Sequence, residues 1–394
     1  MAKCDTHPLD VPVTEIQISG SLKVNDILIT IAASCSVSAW ALSLYLIARH
    51  LANYTVPAQQ KLIIRILLMV PVYTTACVFS IVYYKQHVYL AAIYEFYEAL
   101  VIASFFLLLC GYLNPERDAL RSVFAALTPQ PWLHPVRFLR KWVWRKRTAN
   151  TEDGAKWLSI IWAAIFQFVV VKFLGALTKC ITEGLDVYCK ELGGASHAKV
   201  WVQVIEILSL VTAMFCLLQF YSQCHEALAE HNPLLKFVAV KLVVFLFYVQ
   251  SFILDRLTTK GGPWKPTDAI SYPSLVVGIP NTLLCFEMAA VSILHLWAYP
   301  WHIYHKDVQR PLFPDNTSLT GDSADPKSEA LHWCRAVLQV LNFTDVLQDI
   351  AEGFVGLRKR REEKVQDTYE LSVVERGAEY HGGYESAKAS TLSK

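Results

Sequence analysis

The chain has 394 residues, of which 54% are apolar and 18% charged, and its formal net charge is +2. That balance lies outside the range of an ordinary soluble domain. So small a net charge says little about partners, but its placement along the chain says more.

An amino-terminal arm over residues 1–25 carries Asp5, Asp10 and Glu15 and lacks the basic-then-apolar layout of a cleaved signal peptide. Seven apolar runs follow, near residues 27–48, 62–84, 88–113, 157–179, 200–221, 237–254 and 274–300. A helix rises ~1.5 Å per residue against a ~30 Å hydrocarbon core, so each run is long enough to cross. Lipid offers no partner to a bare backbone, which makes helices the expected form. The expected fold is an all-α, polytopic seven-helix membrane bundle over residues 26–305. Proline is expected to bend the second span at Pro71, and Gly278 and Pro280 open the seventh.

Basic residues crowd the loop after the third span (Arg137, Arg140, Lys141, Arg145, Lys146, Arg147), and they recur after the first span and in the tail. The positive-inside rule places those segments in the cytoplasm, with the amino terminus outside and the carboxy terminus inside. In the third loop Trp132, Phe138, Trp142 and Trp144 interleave with the basic side chains. Attachment to two membrane helices makes anionic lipid the expected partner of this loop rather than nucleic acid. The Asn-X-Ser/Thr matches at Asn53, Asn316 and Asn342 then fall on cytoplasmic segments and are expected to stay unmodified. Cys180 and Cys189 flank the outward fourth loop, where a disulfide is one of two open readings.

Beyond the spans, residues 306–360 show helical periodicity, with Leu331, Cys334, Leu338 and Leu341 on one face and Val346, Ile350 and Phe354 following at four-residue spacing. They are too polar to span and are expected to lie on the cytoplasmic surface or under the bundle. Residues 361–394 have the composition of a disordered tail.

An ionisable group inside a bilayer usually faces protein or a hydrated cavity. Glu95 and Glu98 share one face of the third span, Lys172 lies at comparable depth in the fourth, and Asn281 and Glu287 lie in the seventh. Lys241 stands close enough to the inner boundary to snorkel, and Glu206 and Asp255 stand nearer the outer one. Three readings are open for Glu98 and Lys172: a structural ion pair, the lining of a solute route, and a proton relay. No metal-ligand set converges from several helices, and neither a Gly-X-Ser-X-Gly elbow nor a phosphate-binding glycine loop is present, so no catalysis and no cofactor are expected.

Five segments carry a resemblance: 53–61 (NYTVPAQQK) running into 64–67 (IRIL) and 69–73 (MVPVY), 97–102 (YEALVI), Gln167–Phe168 with Lys172, 233–237 and 240–245 with Gln250, and Asn281, Leu284–Cys285, Glu287–Met288 and His295. Their order and content resemble the family of the organic solute transporter alpha-subunit and transmembrane protein 184. The cysteine-rich cytoplasmic run of the animal subunits is missing, so the match is to the family rather than to the animal bile-acid carrier. The resemblance implies ATP-independent, bidirectional movement of amphipathic organic solutes such as sterol-type anions. On it, Glu98, Lys172, Asn281, Glu287, Glu95 and Lys241 are candidate solute contacts, with Lys172 attracting an anionic headgroup. It also implies a plasma-membrane or vacuolar and endosomal location. A second copy of the chain or a small membrane subunit stays open as a partner. Other members of the family are trafficking proteins, so the alternative is a non-transporting receptor or scaffold acting through the basic loop and tail.

Overall fold

In a computed structural model, residues 9, 12–17, 22–131, 154–188, 198–258, 263–304 and 336–351 are described. The basic third loop, Cys189 and residues 361–394 lie outside them. The described chain is helical: α1 (Val24–Ala52), α2 (Pro57–Leu67), α3 (Met69–Val82), α4 (His87–Leu113), α5 (Arg117–Ala125), α6 (Gly154–Gly184), α7 (Ala198–Leu228), α8 (Pro233–Thr258) and α9 (Ile279–Ala298). Two further helical stretches, 336–341 and 344–351, form a tail segment.

By length and composition, six helical segments among the described residues can cross a membrane: Val24–Ala52, Pro57–Val82, Tyr84–Leu113, Gly154–Gly184, Ala198–Leu228 and Ser274–Ala298. Their outward faces stay apolar, as at Val37, Trp40 and Leu44 in α1 and Ile205, Leu208 and Val211 in α7. Side chains apolar on every face suit helices surrounded by lipid. The chain is an all-helical integral membrane protein.

The second span, Pro57–Val82, is one helical run interrupted at its proline, as expected of a bend. Pro71 offers no N–H to the Leu67 carbonyl and crowds it, which separates α2 from α3 at Leu68, although Leu68 keeps right-handed helical angles and its carbonyl accepts from Val72 N at 3.1 Å. The same chemistry acts at Pro280, before which the chain widens into a π-helical turn, Ser274–Gly278, with Ile279 N donating to Ser274 O. The tight connection from α1 to α2 is held by Gln60, fully buried, whose Oε1 accepts from Val56 N at 2.8 Å. Its Nε2 donates to His50 O at 3.2 Å and Asn53 O at 2.6 Å.

Around these joints α1, α3 and α9 pack on one another, and α8 packs on α9. Helix α4 packs on α2 and α3 on one side and on α6 on the other, while α6 pairs with α7. One end of the bundle carries the arm: Glu15 accepts from Ser271 N at 2.9 Å, Ser271 Oγ at 2.8 Å and Asn25 N at 2.8 Å. Burial works to raise its carboxyl, but these bonds and one from Ser274 outweigh it and hold the group below the usual glutamate range.

The opposite end carries the tail segment. Arg65, 1% exposed, grips Asp345 with two parallel bonds, Nη1 to Oδ2 at 2.9 Å and Nη2 to Oδ1 at 3.0 Å. Its Nε donates to Val340 O at 2.9 Å, Lys61 adds a second ion pair to Asp345 at 2.9 Å, and Trp162 Nε1 donates to Asp349 O at 3.1 Å. The segment therefore bridges α2 and α6. Its inward residues include Ala336, Val340, Val346 and Asp349, whereas Leu338 and Leu341 point away from the bundle at 68% and 57% exposure.

Candidate functional site: a buried charge cluster between three helices

Helices α4, α6 and α7 bring five ionisable side chains together. Glu95 and Glu98 stand one turn apart on α4. Lys172 and Lys179, seven residues apart, share a face of α6 two turns from one another, and Glu206 comes from α7. Counted at ~1.5 Å per residue, they lie ~8–18 Å below the arm-end termini of their helices. On a helix of 31 residues, ~46 Å long, that range runs from about the edge of a centred ~30 Å hydrocarbon core to well inside it.

Glu206 Oε2 lies 3.0 Å from both Lys172 Nζ and Lys179 Nζ. Glu95 Oε2 lies 3.6 Å from Lys172 and also pairs with Lys179. Each ammonium thus touches both oxygens, in an alternating four-membered ring. Glu98 Oε2 stands 4.0 Å from Lys172. The Lys172 side chain is 2% exposed and that of Glu206 6%, so neither charge is met by bulk water. Close approach of α6 and α7 makes the ring feasible: Gly175 has no side chain, and Glu206 Oε1 occupies the space a Cβ would take.

Beyond the end of α6, Tyr188 stands over the cluster. Burial pushes its phenol above the usual range, and the carboxylates of Glu95, Glu206 and Glu183 push the same way, with Lys172 opposing. It therefore stays protonated, an O–H beside an acidic site. Toward the tail end, Gln167 and Ser209 join α6 to α7: Gln167 Nε2 donates to Ser209 O at 3.1 Å, and Ser209 Oγ donates to Gln167 Oε1 at 3.0 Å. Below them the seam turns aromatic. The Phe106 ring sits edge-on to Trp162 at 5.2 Å and to Phe220 at 5.1 Å, and Phe124 stacks on Trp157 at 5.8 Å. The seam is polar in its arm-end half and sealed by aromatic rings in the other.

Of the candidate residues, the structure joins Glu98, Lys172 and Glu95. Asn281 and Glu287 lie elsewhere: Asn281 Nδ2 donates to Val277 O of its own helix at 2.8 Å, and Glu287 meets Gln250 of α8 at 3.4 Å. The Lys241 side chain lies outside the described residues, as does Cys189, the expected partner of Cys180. Two members of the cluster went unrecognised in the sequence. Lys179 closes an apolar run, although its seven-residue distance from Lys172 is a same-face signal; Glu206 lies six residues into the run at 200–221, which puts it nearer the outer boundary.

The family model that matches is the organic solute transporter Ostalpha, over residues 28–304. Among curated proteins, the chain is 31% identical over 274 residues to "Vacuole membrane protein HFL1" of Saccharomyces cerevisiae, covering 68% of this chain and 60% of that protein. It is 30% identical over 281 residues to "Protein LAZ1 homolog 2" of Arabidopsis thaliana, covering 70% of this chain and 68% of that protein. The match thus spans about three-fifths of the yeast protein's length. No solved structure matches.

Proposed function

Since the chain belongs to the organic solute transporter Ostalpha family, we propose that it moves amphipathic organic anions of sterol type across its membrane without ATP. We further propose that α8 completes seven spans, with the amino terminus outside and the carboxy terminus in the cytoplasm, and that the membrane is vacuolar or endosomal. The basic tracts and the name of the yeast relative support these readings.

One observation carries the transport reading: two buried lysines hold a carboxylate oxygen between them at 3.0 Å each. Such a pair is an anion slot, filled at rest by a side chain of the protein itself. Lys172 does not attract a headgroup alone; a solute anion enters by replacing Glu206 or Glu95 between the two ammonium groups. The solute's apolar body lies along the α4, α6 and α7 seam, and the aromatic rings below part for it to leave. Exchange of one anion for another keeps the two ammonium groups paired throughout, which suits a bidirectional facilitator. The protein's anionic side chain re-enters the slot when the solute departs.

The test is initial uptake of a radiolabelled steroid sulfate into proteoliposomes holding the full chain. Uptake down the gradient in either direction, without nucleotide, supports the proposal. Flux that needs ATP, or none above protein-free vesicles, overturns it.

A second reading, a receptor or scaffold, is favoured by the tail segment, whose outward Leu338, Leu341 and Leu347 carry no charge among them. On that reading the solute assay is silent, whereas removal of residues 336–351 displaces the protein from its membrane compartment.

A further inference from the structure

We propose that Glu287, hydrogen-bonded to Gln250, is a proton-binding site near the middle of the bilayer, separate from the charge cluster and independent of the transport reading. The span Ser274–Ala298 places Glu287 thirteen residues from one end and eleven from the other, ~20 Å and ~17 Å by helical rise. No position on this helix lies much deeper.

The surroundings decide the protonation state. Helices α1, α3 and α8 and the π-helical turn pack against α9. Among the described residues the titratable group that faces Glu287 from them is the Cys77 thiol of α3, with Cys285 nearby on α9 itself. The side chains of Lys241, Tyr248, Asp255 and Arg256 on α8 lie outside the described residues. Among the described residues its one hydrogen-bond partner is Gln250, 3.4 Å away, and no cation pairs with the carboxyl. A carboxylate at this depth whose partner among the described residues is a neutral amide is strongly disfavoured, and taking up a proton removes the charge.

Gln250 completes the site. It is 8% exposed, and its Oε1 meets no donor. A carboxylate can accept from the amide but cannot satisfy that oxygen; a carboxylic acid can, because its O–H donates once the amide turns over. Protonation of Glu287 therefore removes the charge and pairs the orphaned oxygen together. A metal cation is a poor occupant, since one carboxyl group and one amide carbonyl offer too few oxygens to replace a hydration shell. A proton needs only these.

The experiment is infrared difference spectroscopy of the full chain in phosphatidylcholine vesicles, exchanged between H2O and D2O near neutral pH. The expected result is a protonated-carboxyl C=O band in the wild type that shifts on deuteration and is missing in Glu287→Gln. In Gln250→Leu the band persists but moves to higher frequency, because the O–H has lost its acceptor. Absence of the band from the wild type overturns the proposal, as does a band of unchanged intensity in Glu287→Gln. A band unmoved in Gln250→Leu removes the hydrogen-bonded pair, and this variant leaves no buried charge to unfold the chain.

Discussion

A Cβ on Gly175 would lie 2.2 Å from Glu206 Oε1, so the α6 backbone and the α7 carboxylate meet at a distance no other residue permits. Gly175→Ala must push Glu206 off Lys172 and Lys179 or spread the two helices. Overpacking of this kind costs ~1–3 kcal/mol, and thermal unfolding in lipid nanodiscs should show it as a lowered midpoint. Gly111→Ala is the control: its nearest neighbour is 4.0 Å away, and the gain in helix propensity makes it neutral or slightly stabilising.

The alternating ring predicts coupling between its members. Lys172→Met leaves Glu206 and Glu95 with one ammonium, and Glu206→Gln leaves two ammonium groups with one shared carboxylate fewer. Removing one partner of a buried pair costs ~3–5 kcal/mol because a charge is stranded. The double variant should lose clearly less than the sum of the singles. A double-mutant cycle on unfolding midpoints checks it; additivity would mean the groups do not act together.

At the tail end, Arg65→Lys should release residues 336–351 although the charge is kept. A lysine cannot reproduce the two parallel bonds to Asp345 together with the bond from Nε to Val340 O. Hydrogen exchange across that segment should quicken at least about tenfold, the equivalent of ~1.4 kcal/mol. Protection in the arm around Glu15 should stay as it was.

The same contact predicts a pH response of defined sign. Burial works to raise the Asp345 carboxyl, but hydrogen bonds and charges from Arg65 and Lys61 outweigh it and hold it below the usual aspartate range. A group depressed in the docked state contributes its stabilisation in full above its undocked value and loses it as pH falls through the docked one. Protection of residues 336–351 should therefore be flat from neutral pH down to about 5 and fall only below the ordinary aspartate value, ~3.9. Asp345→Asn should be poorly protected throughout and show no such step.

The helices were legible because lipid imposes one rule on every span: length and apolarity report crossing without any knowledge of neighbours. Pro71 was legible as a bend, and the interruption falls at Leu68 because the proline's clash lands on a carbonyl one turn earlier. In the charge cluster, Glu98 and Lys172 stood out by depth alone. Glu206 did not, since its place depends on α7 lying against Gly175, a long-range packing that periodicity does not encode. Glu287 was read as part of the same lining, yet α9 packs on α1, α3 and α8 while the cluster lies between α4, α6 and α7. Depth told which residues were buried; only the arrangement of helices told which of them meet.

Glu206→Gln tests the anion slot most directly, in steroid-sulfate uptake measured at a range of solute concentrations. If the side chain is the solute's competitor for Lys172 and Lys179, weakening its hold should lower KM while flux persists, and Lys179→Met should raise KM. If the cluster only fastens α6 to α7, Glu206→Gln would reduce flux in proportion to lost folded protein and leave KM where it was, and the account would fall.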